Sequence, residues 1–204
     1  MENVTLFLEE AGITEYEITD SGIIFKSNAV FDSRKCIELK KAIIKNGGKL
    51  PFKIIEANGD LIMSRLFISN LQGFPDKVHG TLDISSNQIA YLKNCPSFVE
   101  KDFIVSNNKK LTTLEFGPTF VGENYDASYC ALVNCIHLPE IIYGNLILSD
   151  NKIKAFPTSK NVSGDLSLSN NLLIDVPASS LYCGLLIIEN NPCNPGDDFD
   201  RNMW

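Results

Sequence analysis

The residues best able to do chemistry in this chain are serines and aspartates that return at a nearly fixed interval. Ser64, Ser85, Ser106, Ser128, Ser149 and Ser169 stand about 21 residues apart, and Glu189 takes the next place. A serine nucleophile needs a neighbouring base to accept its proton. No His or Lys recurs beside these serines, so the column reads as a repeat feature rather than a set of nucleophiles. Asp83, Asp102, Asp126, Asp150 and Asp165 each fall in a different repeat. Spread in this way they read as a solvated acidic face, in preference to an acid–base pair or a Ca²⁺ site. The six cysteines include no Cys-x-x-Cys pair, and the two histidines, His79 and His137, lie far apart. No zinc site is therefore expected. The chain reads as a non-enzyme with no cofactor and no metal.

The elements that must position these residues emerge from the repeat. The segment "GDLSLSNNLLIDVP" (164–177) echoes "GNLILSDNKIKAFP" (144–157) and "GTLDISSNQIAYLKNCP" (80–96). Aligned on the Asn, a strand begins at Leu61, Leu82, Phe103, Tyr125, Leu146, Leu166 and Leu186. Met63, Ile84, Val105, Ala127, Leu148, Leu168 and Ile188 follow two residues later. Three further on stand Leu66, Asn87, Asn108, Cys130, Asn151, Asn171 and Asn191, spaced by 21, 21, 22, 21, 20 and 20 residues. The next apolar column is Ile68, Ile89, Leu111, Leu132, Ile153, Leu173 and Cys193, with one extra residue before Leu111. Leu71, Leu92, Leu114, Cys135, Phe156 and Val176 come after it, and prolines such as Pro75, Pro96, Pro118, Pro139, Pro157 and Pro177 close the repeats.

A unit of this length cannot bury its apolar face alone, so units stack and share one core. Each carries a short strand that pairs in parallel with its neighbours, about 4.8 Å away. The sharp turn after the strand leaves backbone groups without partners inside the stack. An Asn amide both donates and accepts, so stacked Asn side chains form a ladder. The ladder is expected to be weakest at Leu66 and Cys130.

The pattern resembles the leucine-rich repeat, L-x-L-x-x-N/C-x-L-x-x-L, over roughly two thirds of the chain. "LPFKIIEANGDLIMS" and "LQGFPDKVHGTLDISSNQIAYLKNCPSFV" resemble more narrowly the repeat proteins of large tailed bacteriophages and some bacteria. The resemblance implies an α/β repeat solenoid with a parallel β-sheet on the concave face, an irregular convex side and an α+β N-terminal cap. Residues 1–58 are expected to form the cap, with short strands at "YEIT" and "GIIFK", a degenerate strand at 28–31 and an amphipathic helix near 33–46. Residues 59–193 are expected to form about six full repeats and a partial one, and 194–204 a tail or second cap.

Strand residues between the inward columns face the opposite, concave side. One outward column is Ile62, Asp83, Ile104, Asp126, Ile147, Ser167 and Ile187. The serines and Glu189 form the second. Asp60, Thr81, Asp102, Asn124, Asn145, Asp165 and Leu185 form the third, and Arg65, Ser86, Asn107, Tyr129, Asp150, Asn170 and Asn190 the fourth, at the strand exits. Arg65 is the only base among them. Mixed apolar and acidic surface suits a protein partner presenting basic and apolar groups. Ile62, Arg65, Asp83, Asp102, Ile104, Asp126, Tyr129, Ile147, Asp150, Asp165, Ile187 and Glu189 are the expected partner-binding residues.

Composition narrows the partner. The 204 residues carry a formal charge of −7, so direct binding to phosphate backbones is not expected. No apolar run approaches the roughly 20 residues of a bilayer span. "MENVTLFLEEAG" has no basic region and is interrupted by acids, so no secretory signal is expected and the cysteines are expected as packed thiols. The resemblance implies a phage-encoded protein of the bacterial cytoplasm that binds and inhibits a host or anti-phage defence protein. The alternatives are an effector-like or accessory adaptor subunit, and a structural or virion component.

Overall fold

The computed structural model describes residues 3–157, 160–175 and 183–193; Val176, Pro177 and the expected tail 194–204 lie outside them. Helix α1 (Val4–Ala11) comes first and ends at Gly12, whose φ of 69° lets its own N–H reach the carbonyl of Glu9. Strands β1 (Tyr16–Thr19) and β2 (Gly22–Phe25) form an antiparallel hairpin. After three intervening residues comes β3 (Ala29–Val30), and then helix α2 (Ile37–Lys45). The Glu10 carboxylate of α1 accepts the backbone N–H of Glu38, so one helix caps the other's first turn. α2 buries Leu39 and Ile43 and leaves Ile37 and Ile44 exposed.

From here one unit recurs: a short strand, a three-residue corner and a second short strand. β4 (Ile54–Ala57) leads to β5 (Leu61–Ile62), β6 (Lys77–Val78) to β7 (Leu82–Asp83), and β8 (Phe98–Val99) to β9 (Phe103–Ile104). β10 (Phe120–Val121) leads to β11 (Tyr125–Asp126), β12 (Ile141–Ile142) to β13 (Leu146–Ile147), and β14 (Asn161–Val162) to β15 (Leu166–Ser167). β16 (Leu186–Ile187) closes the series.

The second strands form an eight-stranded parallel sheet in the order β3-β5-β7-β9-β11-β13-β15-β16, the long sheet. The first strands form a back sheet, β1-β2-β4-β6-β8-β10, with β12 and β14 paired to each other. The molecule is a parallel β-solenoid of about 6 turns with few helices. The segments expected to be irregular thus carry a second sheet. Each sends one β-branched residue inward (Val78, Val99, Val121, Ile142 or Val162, all buried) to meet the leucines of the long sheet. The long sheet also begins earlier than the first full repeat, because Ala29 pairs with Leu61 and Val30 with Ile62. α2 and its turns are inserted between those two strands.

The inward columns are buried from Leu61 to Leu168. Between them run the stacked carboxamides. Asn151 donates to the carbonyls of Ala127, Leu148 and Ser149 and accepts the N–H of Leu132 at 3.0 Å. Asn87, Asn108, Asn171 and Asn191 repeat this arrangement, each reaching into the preceding coil. Cys130 makes one weak contact, Sγ to the Val105 carbonyl at 3.5 Å. The N–H that an Asn at this position would have taken, on Leu111, donates instead to the Asn108 carbonyl at 3.0 Å. The extra residue before Leu111 supplies that turn, so insertion and substitution compensate each other.

Candidate functional site

Pairing of the long sheet fixes which side chains share a row on its outer face. Val30, Ile62, Asp83, Ile104, Asp126, Ile147, Ser167 and Ile187 stand opposite one another strand by strand. Apolar and acidic residues therefore alternate from Ile62 to Ile147. Asp83 accepts the N–H of Ser85 at 2.8 Å and Asp126 that of Ser128 at 2.9 Å. These local bonds hold each carboxylate over the serine row through one oxygen. Among the described residues, no cation lies within ion-pair distance of Asp83, Asp102, Asp126, Asp150, Asp165 or Glu189. On the entry side of the strands Lys101 lies 3.7 Å from Asp60.

The row preceding the strands has a second duty. Asp60 accepts the N–H of Thr81, Asp102 both donors of Asn124, Asn145 the N–H of Asp165, and Asp165 the N–H of Leu185. Each side chain thus tethers the next coil. At three of these four junctions a glycine precedes the tethered residue and leaves room for the close approach: a Cβ on Gly80 would lie 2.5 Å from Asp60 Oδ1, and one on Gly184 would lie 2.7 Å from Asp165 Oδ1. Asp102 and Asp165 therefore combine a structural bond with their surface charge.

The exit row has a backbone reason for its composition. Arg65, Ser86, Asn107, Tyr129, Asp150, Asn170 and Asn190 all have φ between 53° and 59°. Asn and Asp tolerate this left-handed region, whereas long side chains are strained there. Asn190 donates to Asn170, and Asn170 to Asp150, forming a surface ladder. Arg65 and Tyr129 depart from the rule, and each immediately precedes a departure from the inner ladder, Leu66 or Cys130. Tyr129 is 52% exposed, with the Lys109 ammonium 5.1 Å from its ring centre. Of the expected partner-binding residues, Ile62, Asp83, Ile104, Asp126, Ile147 and Ile187 share the central row. Arg65, Tyr129 and Asp150 lie on its exit side, Asp102 and Asp165 on its entry side, and Glu189 at the end of the serine row.

Two features are invisible in the column alignment. Val30, half-exposed, extends the central row by one strand into the region expected as cap. On the back sheet, His79, Phe98, Phe120 and Tyr143 make a continuous aromatic file. Phe98 and Phe120 stack at 4.7 Å with ring planes 5° apart, flanked by His79 at 6.0 Å and Tyr143 at 5.7 Å. Because the file takes Phe98 and Phe120 from one column and His79 and Tyr143 from the column two residues later, no single column shows all of it.

The interior offers little reactivity. Burial pushes the thiols of Cys36 and Cys130 up to about 11 and that of Cys135 to about 12, so all three are held as thiols. All six cysteines are free, with Cys95, Cys183 and Cys193 partly buried against the core. Tyr125 is fully buried and its hydroxyl has no hydrogen-bond partner among the described residues; burial raises its pKa well above the ordinary tyrosine value. His137 is exposed. Among the described residues no group of three or more His, Cys, Asp or Glu is placed to hold a metal ion. No described helix is long and apolar enough to cross a membrane. Comparison of the chain with protein families, with curated proteins and with solved structures finds no match.

Proposed function

We propose that the chain is a non-enzymatic protein-binding solenoid of leucine-rich-repeat type, and that the outer face of its long sheet receives the partner. The observation that carries this reading is the central row, in which Ile62, Ile104 and Ile147 alternate with Asp83 and Asp126, neither of them ion-paired among the described residues. A strand needs β-branched residues for its own sake, but nothing in strand formation calls for uncompensated carboxylates between them. Their mutual repulsion is a cost that a basic partner removes. The inner Asn ladder, with its donors and acceptors shared between coils, supports the leucine-rich-repeat assignment. An acidic face also competes for surfaces that hold nucleic acid, which supports inhibition of a basic target as its action.

The test uses charge without shape. Asp83→Asn, Asp126→Asn and Asp150→Asn together keep every carbonyl acceptor and remove three charges. The intact protein, immobilised beside this variant, is expected to retain a lysate protein that the variant loses. Equal retention by both would move the binding surface elsewhere.

A further inference from the structure

The spacing on the long sheet has a counterpart on the same chain. Along the central row, Ile62, Asp83, Ile104 and Asp126 follow one another at single-coil steps. With strands about 4.8 Å apart, apolar positions recur every 9.6 Å or so, with a carboxylate midway. An α-helix rises about 1.5 Å per residue, so residues seven apart share a face at about 10.5 Å, with the fourth residue between them at about 6 Å. A helix lying along the solenoid axis therefore meets every coil in turn. An extended segment presents same-side residues about 6.7 Å apart and falls out of step. A polyproline helix returns about every 9.3 Å but has no same-side residue midway.

α2 carries this motif outward. Its buried side is Leu39 and Ile43. On the opposite side lie Ile37, 51% exposed, Lys41, Ile44, 58% exposed, and Lys45. In order they are apolar, basic, apolar, basic. The long sheet offers Ile62, Asp83, Ile104 and Asp126 in the same order; the first three fall at nearly the pitch of Ile37, Lys41 and Ile44, while Lys45, one residue beyond Ile44 and turned about 100° from it, reaches Asp126 through its long flexible side chain. Lys41 rests on Glu38 at 2.6 Å in the free helix, an exposed pair that exchanges readily for another carboxylate.

We infer that the exposed side of α2 docks on the row Ile62–Asp83–Ile104–Asp126 of a second copy of this chain, setting Ile37 and Ile44 against the isoleucines and Lys41 and Lys45 against the aspartates. This rests on the long sheet being a binding face. Donor helix and acceptor row are different surfaces, so the contact is heterologous and each copy can both give and receive. α2 has 9 residues and covers about three coils, which makes the association reversible and salt-sensitive.

The test is a charge swap read by light scattering and sedimentation over a range of concentrations. The intact protein is expected to associate as concentration rises and to dissociate with salt. Lys41→Glu with Lys45→Glu, and separately Asp83→Lys with Asp126→Lys, are each expected to weaken association roughly tenfold or more. Mixing the two variants restores both contacts and is expected to restore association. Circular dichroism checks that each is folded, and Asp83→Asn with Asp126→Asn, which retains the local turn bonds, stands in if the reversal is not. An intact protein that stays monomeric up to near-millimolar concentration overturns the inference, as does a mixture that fails to recover. If the intact protein is monomeric while the three-Asn variant still loses its captured partner, the helix docking falls and the sheet-face reading stands.

Discussion

The two sheets are walls of the same coils, yet their outer faces behave in opposite ways. On the back sheet the aromatic residues pack against one another. Phe98 lies flat on Phe120, and His79 and Tyr143 close the ends of the file. On the long sheet, Asp83 and Asp126 find no ion-pair partner among the described residues, and the isoleucines between them remain half-covered. Repeating one residue class along a solenoid makes a stack that consumes its own surface. Alternating two classes makes a surface that neighbours cannot satisfy. The contrast separates residues that hold the coils together from residues available to something else.

The contrast can be broken first at what joins both walls. Asn151→Ala removes one accepted and three donated bonds in the interior, and is expected to cost about 3 kcal/mol in urea unfolding. Phe120→Ala opens the aromatic file and is expected to cost roughly 2 kcal/mol while leaving capture by the long sheet unchanged. A loss of capture on that substitution would erase the distinction between the walls. Tyr125→Phe removes a buried hydroxyl that bonds to none of the described residues, and is expected to raise stability by about 1 kcal/mol, seen as a higher denaturation midpoint. The smallest change sharpens the other side. Asp83→Asn with Asp126→Asn keeps the turns at Ser85 and Ser128 and is expected to shift stability by less than about 0.5 kcal/mol, while binding falls. A large stability loss there would show that the carboxylates belong to the fold.

Much of the long sheet was legible in the sequence because its inward residues recur in type as well as in place. Leu61, Leu82, Leu146 and Leu166 head the strands, and the Asn positions mark the turns. The back sheet was harder to see because each of its strands is 2 residues long beyond the first coil and places one Val or Ile inward. Its signal was present all the same: Val78, Val99, Val121, Ile142 and Val162 each precede a long-sheet strand at the same distance. The start of the solenoid was hidden by α2, which breaks the period between Ala29 and Leu61. The site was legible as a set of outward residues, and their division of labour was not. That Asp102 and Asp165 tie coils together, or that Tyr129 sits at a left-handed backbone position, depends on neighbours one coil away.

The pairing of a tethering side chain with a glycine in the next coil sets a rule for lengthening or shortening this molecule. Gly80 faces Asp60, Gly144 faces Asn124, Gly164 faces Asn145 and Gly184 faces Asp165. Lys101 stands in the glycine's place where the preceding coil offers Thr81, and Glu123 follows Asp102 where Asn124 donates twice. The coils are therefore not interchangeable modules: each carries the lock for the coil before it and the key for the one after. A copy spliced between Asn145 and Asp165 finds matching junctions on both sides. A splice that sets Lys101 behind Asp60 or Asp165 puts a side chain where the native seam has a glycine against the carboxylate, and it fits only if the seam takes the arrangement seen at Asp102, where Glu123 is accommodated; the seams of the array, more than its coils, decide which rearranged versions can fold.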